Sequence, residues 1–334
     1  MGPDSSVRPL SDCMRERNTS YYQSSSTSIY SDFLTYAQSP QGQLTRAQAH
    51  EFHARAREHP KPRHEVLEAG VGEGAFALGF LQELQRLDKA QGTDIHSRVH
   101  YTLCDFSKPM LDKAKTRLEK EGFAHQIDTR EWDASDADSL PLFGADFIRC
   151  NELFSDLPAD AYMRKGEQLL QARFDDKMGL HPAPADWAEL DDFERKLLFA
   201  LPESYVLPFN RLARDSLFAL VQNLHPHGKL DVFDYGFYRA DDFSIPSEIW
   251  NQTLVREFNT QWTVDLNFLY LSAALSSEGH FARVEGQEDY VNHWLAENAG
   301  AKPHPSSGLD YDSPTPADMQ EDDFFYHLEV KKHG

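Results

Sequence analysis

Three glycines in five residues, Gly70, Gly72 and Gly74 of LEAGVGEGAF (residues 67–76), stand where an apolar run meets a helical pattern. A strand-to-helix turn of this kind leaves main-chain amides and a helix N-terminus facing whatever binds above it, as in open α/β sheets. The surrounding segments keep the same grammar. HEVLEAG (64–70), RVHYTLCDF (98–106), HQIDTREWD (125–133), GADFIRCNE (144–152) and GKLDVFDYG (228–236) read as five strands. Between the first three lie amphipathic helices, AFALGFLQELQRLDKA (75–90) and KPMLDKAKTRLEKEG (108–122), the second with Ser107 as a capping candidate and Pro109 in its first turn. Such alternation predicts a doubly wound parallel sheet.

The fourth and fifth strands are separated by about 75 residues, well beyond the dozen or so that one crossover needs. ADAYMRKGEQLLQARF (159–174) and ADWAELDDFERKLLFAL (185–201) read as helical runs in that interval, which predicts a mainly helical insertion acting as a cap. VDLNFLYLSAALSSEG (264–279, helix), HFARVEGQ (280–287, strand), EDYVNHWLAENAG (288–300, helix) and FFYHLEVKKH (324–333, strand) would then complete the sheet with antiparallel strands. The polar, Ser/Tyr-rich residues 1–30 read as an extended arm, and the Pro/Ser/Asp-rich residues 301–323 as a long loop. The expected division is an arm over 1–45, the first half of the sheet over 46–152, the cap over 153–225 and the rest of the sheet over 226–334.

Fifty-four acidic against 33 basic residues give a net charge of −21, which opposes binding to a nucleic-acid backbone and favours a cationic ligand or a basic protein partner. No window approaches the roughly 18 to 20 apolar residues of a membrane-spanning helix, so no membrane partner is expected. Cys13, Cys104 and Cys150 form no C-x-x-C pair, which fits a reduced, cytoplasmic protein and signals no thiolate zinc site. HEFH (50–53) is not H-E-x-x-H and HPHG (225–228) reads as a turn, so no metal is expected. The N-terminus lacks an apolar signal core, and Gly2 with Ser6 meets only the minimal acylation pattern.

The glycines run G-x-G-x-G, one residue short of the dinucleotide spacing, and Glu68 and Glu73 in the same loop would repel a pyrophosphate. S-adenosylmethionine (SAM) carries no phosphate and is cationic, so the same carboxylates favour it. On this reading Glu68 receives the methionine ammonium directly or through water, and Gly70, Gly72 and Gly74 admit the ligand close to the backbone. Asp105, with Phe106 beside it, ends the second strand, where a carboxylate accepts the ribose hydroxyls; Asp133, with Trp132, ends the third and faces the adenine. Asn151, past the fourth strand, is a candidate for the methionine part of SAM or for the acceptor.

Several segments together resemble the MidA family of SAM-dependent methyltransferases, which includes the mitochondrial complex I assembly-factor arginine methyltransferases. They are Asp32-Phe33-Leu34-Thr35 within residues 21–40, LEAGVGEGAF, NELFSDLP (151–158), DYG (234–236), TVDLNFLYLSAALSSEG with Asp265 and Phe268, and GQEDYVNHWL with Gln287. The likeness covers most of the chain, and order and spacing carry it. It departs from the family where Ser155-Asp156 replace Asp-Ala, where Asp105 replaces the commoner Glu, and where Tyr36-Ala37-Gln38 follow Thr35.

The resemblance implies a class I, Rossmann-like methyltransferase fold with SAM as cofactor, and extends the expected compartments to the mitochondrial matrix. For an arginine acceptor, Glu152 and Asp156 are the candidate carboxylates that orient the guanidinium and receive its proton. Asn151 and Tyr235 would line the acceptor channel. The alternative for NELFSDLP is a helix start capped by Asn151 and stopped by Pro158, and Asp234 alternatively only ends a strand. Three functions stay open: arginine methylation of a basic protein or peptide, methylation of a small molecule beneath a lid, and a SAM-fold assembly factor without turnover. A nicotinamide oxidoreductase is a remote fourth.

Overall fold

The computed structural model describes residues 7–24, 43–140, 144–258, 260–299 and 324–332. The chain opens with α1 (Leu10–Ser24) and α2 (Gln43–Glu58), then alternates β1 (His64–Ala69), α3 (Ala75–Gln91), β2 (Val99–Asp105), α4 (Lys108–Lys120), β3 (Ile127–Glu131) and β4 (Ala145–Asn151). An insertion carries β5 (Asp160–Lys165), β6 (Gln168–Gln171), α5 (Asp192–Ala200), β7 (Leu207–Phe209) and α6 (Arg211–Gln222). The remainder holds β8 (Leu224–Phe237), α7 (Ser247–Thr253), α8 (Phe268–Ser277), β9 (Phe281–Gly286), α9 (Gln287–Ala299) and β10 (Phe325–Lys331).

The main sheet has the order β9-β10-β8-β4-β1-β2-β3. β3, β2, β1, β4 and β8 run parallel, and β10 enters antiparallel between β8 and β9. Both faces of the central strands β1, β2, β4 and β8 are covered, so their burial is near-continuous rather than alternating, whereas the edge strands β3 and β9 stay partly exposed. Val66, Tyr101, Leu103, Phe147 and Phe233 pack beneath α2, α3, α4 and α9. Leu67, Ala69, Ile148, Leu230 and Val232 pack on the opposite side, with α1, α6, α8 and the insertion.

The sheet, the helices after β1 and β2, and the antiparallel finish agree with the expectation from sequence. The insertion does not. Residues 159–174 form the hairpin of β5 and β6, with Lys165 opposite Gln168 and Gly166 at φ 60° in the two-residue turn. β7 pairs with β5 and residues 183–184 with β6, so the cap is a four-stranded sheet flanked by two helices rather than mainly helical. The left-handed Gly166 is the physical reason: a glycine between two short runs closes a hairpin, whereas in a helix interior it is unfavourable. α5 does form in the second run, started by Asp191, whose carboxylate accepts the Glu194 amide.

Residues 10–24 are helix, not extended arm, because Leu10, Cys13, Met14 and Tyr21 find a buried seat. The expected boundary at 45/46 falls inside α2, and that at 225/226 inside β8, next to a register shift with His227 at φ 66°. Ser107 makes no side-chain cap to α4. On α2, His50 and His53 meet Glu83 (3.0 Å) and Asp88 (3.2 Å) of α3, and so serve helix packing. Gly2, the Asp32–Thr35 segment and the 301–323 loop lie outside the described residues. Among the described residues no helix is long and apolar enough to cross a membrane, and no group of three or more His, Cys, Asp or Glu is placed to hold a metal ion.

The glycine of DYG has a steric cause. Residues 266–267 pair in parallel with Gly236 and Phe237, and a Cβ on Gly236 would lie 2.1 Å from the Leu266 carbonyl oxygen. Gly236→Ala is expected to cost about 3 kcal/mol, the upper part of the usual range for overpacking, because the obstacle is backbone. Urea unfolding checks this; a wild-type midpoint would refute it.

Candidate functional site

The carboxyl ends of β1, β2, β4 and β8 meet where the strand order reverses between β1 and β4, the position at which open α/β sheets bind ligands. The glycine loop crosses this edge with Gly70, Gly72 and Gly74 at φ 74°, 52° and 72°. The Gly70 and Val71 amides donate to the Cys104 carbonyl at 2.9 and 3.1 Å, which anchors the loop to β2. A Cβ on Gly70 would press on Leu153 at 3.2 Å, and one on Gly74 would meet Ala114 Cβ at 2.9 Å. Gly74 therefore lacks a Cβ where the loop and α3 approach α4, at a left-handed φ that itself favours glycine.

Asp105 is buried at the end of β2. One of its oxygens accepts the Gly72 amide at 3.0 Å and the other the Ser107 amide at 2.9 Å. Burial pushes its carboxyl up to about 6, against the amides that favour its charge. The Phe106 amide is a third donor to it, so the carboxylate keeps acceptor capacity for one ribose hydroxyl. Phe106 beside it is 46% exposed, an aromatic face at the rim of the same crevice. Asp133 is exposed and turns back to accept the Ser135 amide at 2.8 Å, while Trp132 is buried in the layer with Cys104 and Ala134.

The two loop glutamates have other partners. Glu73 faces α4, with Lys113 and Arg117 each at 3.4 Å. Glu68 points into the sheet's buried face: the Tyr101 hydroxyl donates to it at 2.6 Å, and Arg149, its neighbour in register on β4, approaches at 2.9 Å without hydrogen-bond alignment. Burial raises the Glu68 pKa, opposed by Arg149 and Tyr101. Arg149 also stacks on Phe76 at the start of α3. Direct capture of the methionine ammonium by Glu68 is thus replaced by a supporting role: the acid and its arginine brace the floor beneath the glycine loop.

Asn151 and Glu152 stand side by side at the end of β4, the Asn151 amide donating to Glu152 Oε1 at 3.1 Å. Glu152 has φ 46°, a left-handed conformation unusual for this residue type, and its N–H donates to Phe233 O at 2.8 Å. Phe154–Asp156 form one 3-10 turn. Asn151 does not cap it; Asp234 of β8 does, accepting the Phe154 and Ser155 amides at 3.0 and 3.1 Å. Asp234 thus has a partner set that a mere strand end would lack. Tyr235 is 8% exposed, with the Arg256 guanidinium 4.9 Å from its ring centroid and Asp265 paired to Arg256. The fold therefore brings Asn151, Glu152, Asp156 and Tyr235 to one edge. Asn18, Arg149, Asp234 and Arg256 join the site only through the fold; for Asp234 and Arg149 the sequence signal is a charge inside an otherwise apolar strand.

The crevice fits SAM: backbone without Cβ atoms at Gly70 and Gly72, a carboxylate with acceptor capacity at Asp105 and an aromatic rim at Phe106 lie along one edge. No curated protein matches the chain. In solved structures, an uncharacterized ACR, COG1565 superfamily protein from Burkholderia thailandensis shares 17% identity, with a TM-score of 0.66 over 98% of this chain and 88% of that one. A COG1565 superfamily member from the same organism bound to S-adenosyl-homocysteine superposes with a TM-score of 0.69 at the same identity and coverage. These likenesses show the fold. The family described as "Putative S-adenosyl-L-methionine-dependent methyltransferase" matches residues 43–270, most of the chain and all of this edge. The chain belongs to that family, a methyltransferase with SAM as its cofactor.

Proposed function

We propose that the chain methylates an arginine in a basic protein or peptide, as a MidA-type enzyme of the cytoplasm. The observation that carries this reading is the pair of carboxylates, Glu152 and Asp156, on one short segment at the cofactor edge, the first in a strained conformation. A guanidinium stays protonated near neutrality, so a carboxylate must both orient it and take the proton lost as the new N–C bond forms. The sulfonium supplies a methyl carbon already activated for in-line displacement. The chain's own residues then have two tasks, to hold the nucleophile in line and to keep water out. Glu152 is assigned the guanidinium, Asp156 the second nitrogen or the proton, and Tyr235 the wall of the channel.

A small-molecule acceptor is the second reading, favoured by the near-complete burial of Tyr235 beneath Arg256, which narrows that wall. Incubation with isotopically labelled SAM and host lysate, followed by mass spectrometry, separates the two. Label is expected on arginine, and Glu152→Gln is expected to lower its rate at least about a hundredfold, the lower end for a positioned proton acceptor. Label confined to small molecules rejects the first reading. SAM binding without any turnover supports an assembly factor instead.

Cofactor affinity should depend on pH through Asp105. Its raised pKa means that acidification below about 6 protonates it and weakens the acceptor site for the ribose. S-adenosylhomocysteine affinity is therefore expected to rise from pH 5 to pH 7, and Asp105→Asn to flatten the profile. A flat profile in the wild type by titration calorimetry would count against this role.

A further inference from the structure

We propose that Asp234 and Asn18 are positioning residues that hold the segment from Glu152 to Asp156 from its two ends and so set where its carboxylates stand. This rests on the assignment of Glu152 and Asp156 to the acceptor. The segment is too short to hold itself: a single 3-10 turn leaves its leading amides and trailing carbonyl without internal partners. Both ends are satisfied by side chains from distant parts of the chain. At the front, Asp234 Oδ2 accepts the Phe154 and Ser155 amides at 3.0 and 3.1 Å, while its Oδ1 accepts the Tyr235 amide at 3.0 Å. At the back, Asn18 of α1 donates through Nδ2 to Asp156 O at 2.8 Å.

Asn18 is itself locked. The same Nδ2 donates to Trp262 O at 2.8 Å, and Oδ1 accepts the Trp262 amide at 2.9 Å, so α1 is fastened to the 261–264 strand and to the turn by one buried side chain. Asp234 is wholly buried, and the ladder of β4 and β10 on either side of β8 fixes its Cα. Left-handed backbone at a non-glycine residue such as Glu152 persists only where the surroundings over-determine it. Two rigid clamps, one from the sheet and one from α1, supply that over-determination. Packing of Phe154 alone would fix the turn's depth, but not the orientation of its amides. The carboxylates are thereby aimed before any acceptor arrives, which is how positioning lowers a barrier for a nucleophile that needs little covalent help.

The test measures kcat and KM for labelled SAM with lysate proteins as acceptors, together with S-adenosylhomocysteine affinity by calorimetry. Asp234→Ala and Asn18→Ala are each expected to lower kcat about a hundredfold, as for a displacement of order 1 Å, while KM for SAM and S-adenosylhomocysteine affinity stay near wild type. Asp234→Asn, which keeps one carbonyl oxygen for the two amides, should recover most of the rate; an equal loss in Asp234→Asn and Asp234→Ala would overturn a role through hydrogen-bond acceptance. Wild-type kcat in Asp234→Ala and Asn18→Ala, or a parallel fall of kcat and cofactor affinity that marks general collapse, also overturns the proposal. If Glu152→Gln and Asp156→Asn keep full activity, the acceptor assignment itself falls. If those two lose activity and the clamp variants do not, only the clamp is wrong. No label from the wild type defeats both.

Discussion

Lys229→Met is expected to lower stability by about 3–5 kcal/mol, the range for removing one partner of a buried ion pair. Lys229 is buried on β8, facing Asp231 at 3.0 Å and Glu329 at 3.6 Å and in contact with Glu51 of α2. Burial alone would lower its pKa, but Asp231, Glu51 and Glu329 raise it, so the side chain stays charged. The Tyr290 hydroxyl donates to Glu51 at 2.7 Å, and His327 lies between Asp231 at 2.7 Å and Glu285 at 3.0 Å. With a carboxylate at each ring nitrogen, His327 holds both protons. A methionine at 229 fills the volume but leaves Glu51, Asp231 and Glu329 short of a cation where water cannot replace it. α2 and α9 should loosen from the sheet first, since the buried ion pair that ties α2 to the sheet runs through Glu51, to which Tyr290 of α9 is hydrogen-bonded. Chemical denaturation checks the magnitude. An unchanged midpoint would show that the cluster is solvated or that it ionises differently.

Gly74→Val should abolish cofactor binding and cost about 2–4 kcal/mol of stability, through a left-handed β-branched residue together with overpacking. Its Cβ would meet Ala114 Cβ at 2.9 Å and both Ala114 Cα and Leu118 Cδ1 at 3.0 Å. α4 cannot yield cheaply, because Ala114 and Leu118 are themselves buried between α3 and the sheet. The glycine loop would move instead, carrying Gly72 away from Asp105. Gly92→Val is the matched control: φ is 69°, but a Cβ there has nothing within 4 Å. It should show only the backbone strain, with S-adenosylhomocysteine affinity intact. Equal losses of affinity in both variants would mean that strain alone, rather than the clash with α4, displaces the loop.

The seven strands of the main sheet, the glycine loop and the order of the site segments were all legible from residue pattern. Each is a local property: apolar runs at strand length, a glycine cluster before a helical period, acids at strand ends. The cap differs from its expected helical form because the apolar residues of 159–174 satisfy a helical spacing as readily as two short strands, and Gly166 alone breaks the tie. Glu68 and Glu73 favour a cationic cofactor by their charge alone, yet the fold gives both acids cations of their own, Arg149 for one and Lys113 with Arg117 for the other.

Composition and periodicity thus define which layers form and where the crevice opens, since burial of apolar faces depends on spacing along the chain. Which carboxylates reach that crevice is a separate matter. Asp105, Glu152 and Asp156 end at its edge while Glu68 turns beneath it, and Asp234 and Asn18 meet one turn from positions 80 and 138 residues away. A side chain's partners depend on packing between distant segments, and neither propensity nor local charge encodes that.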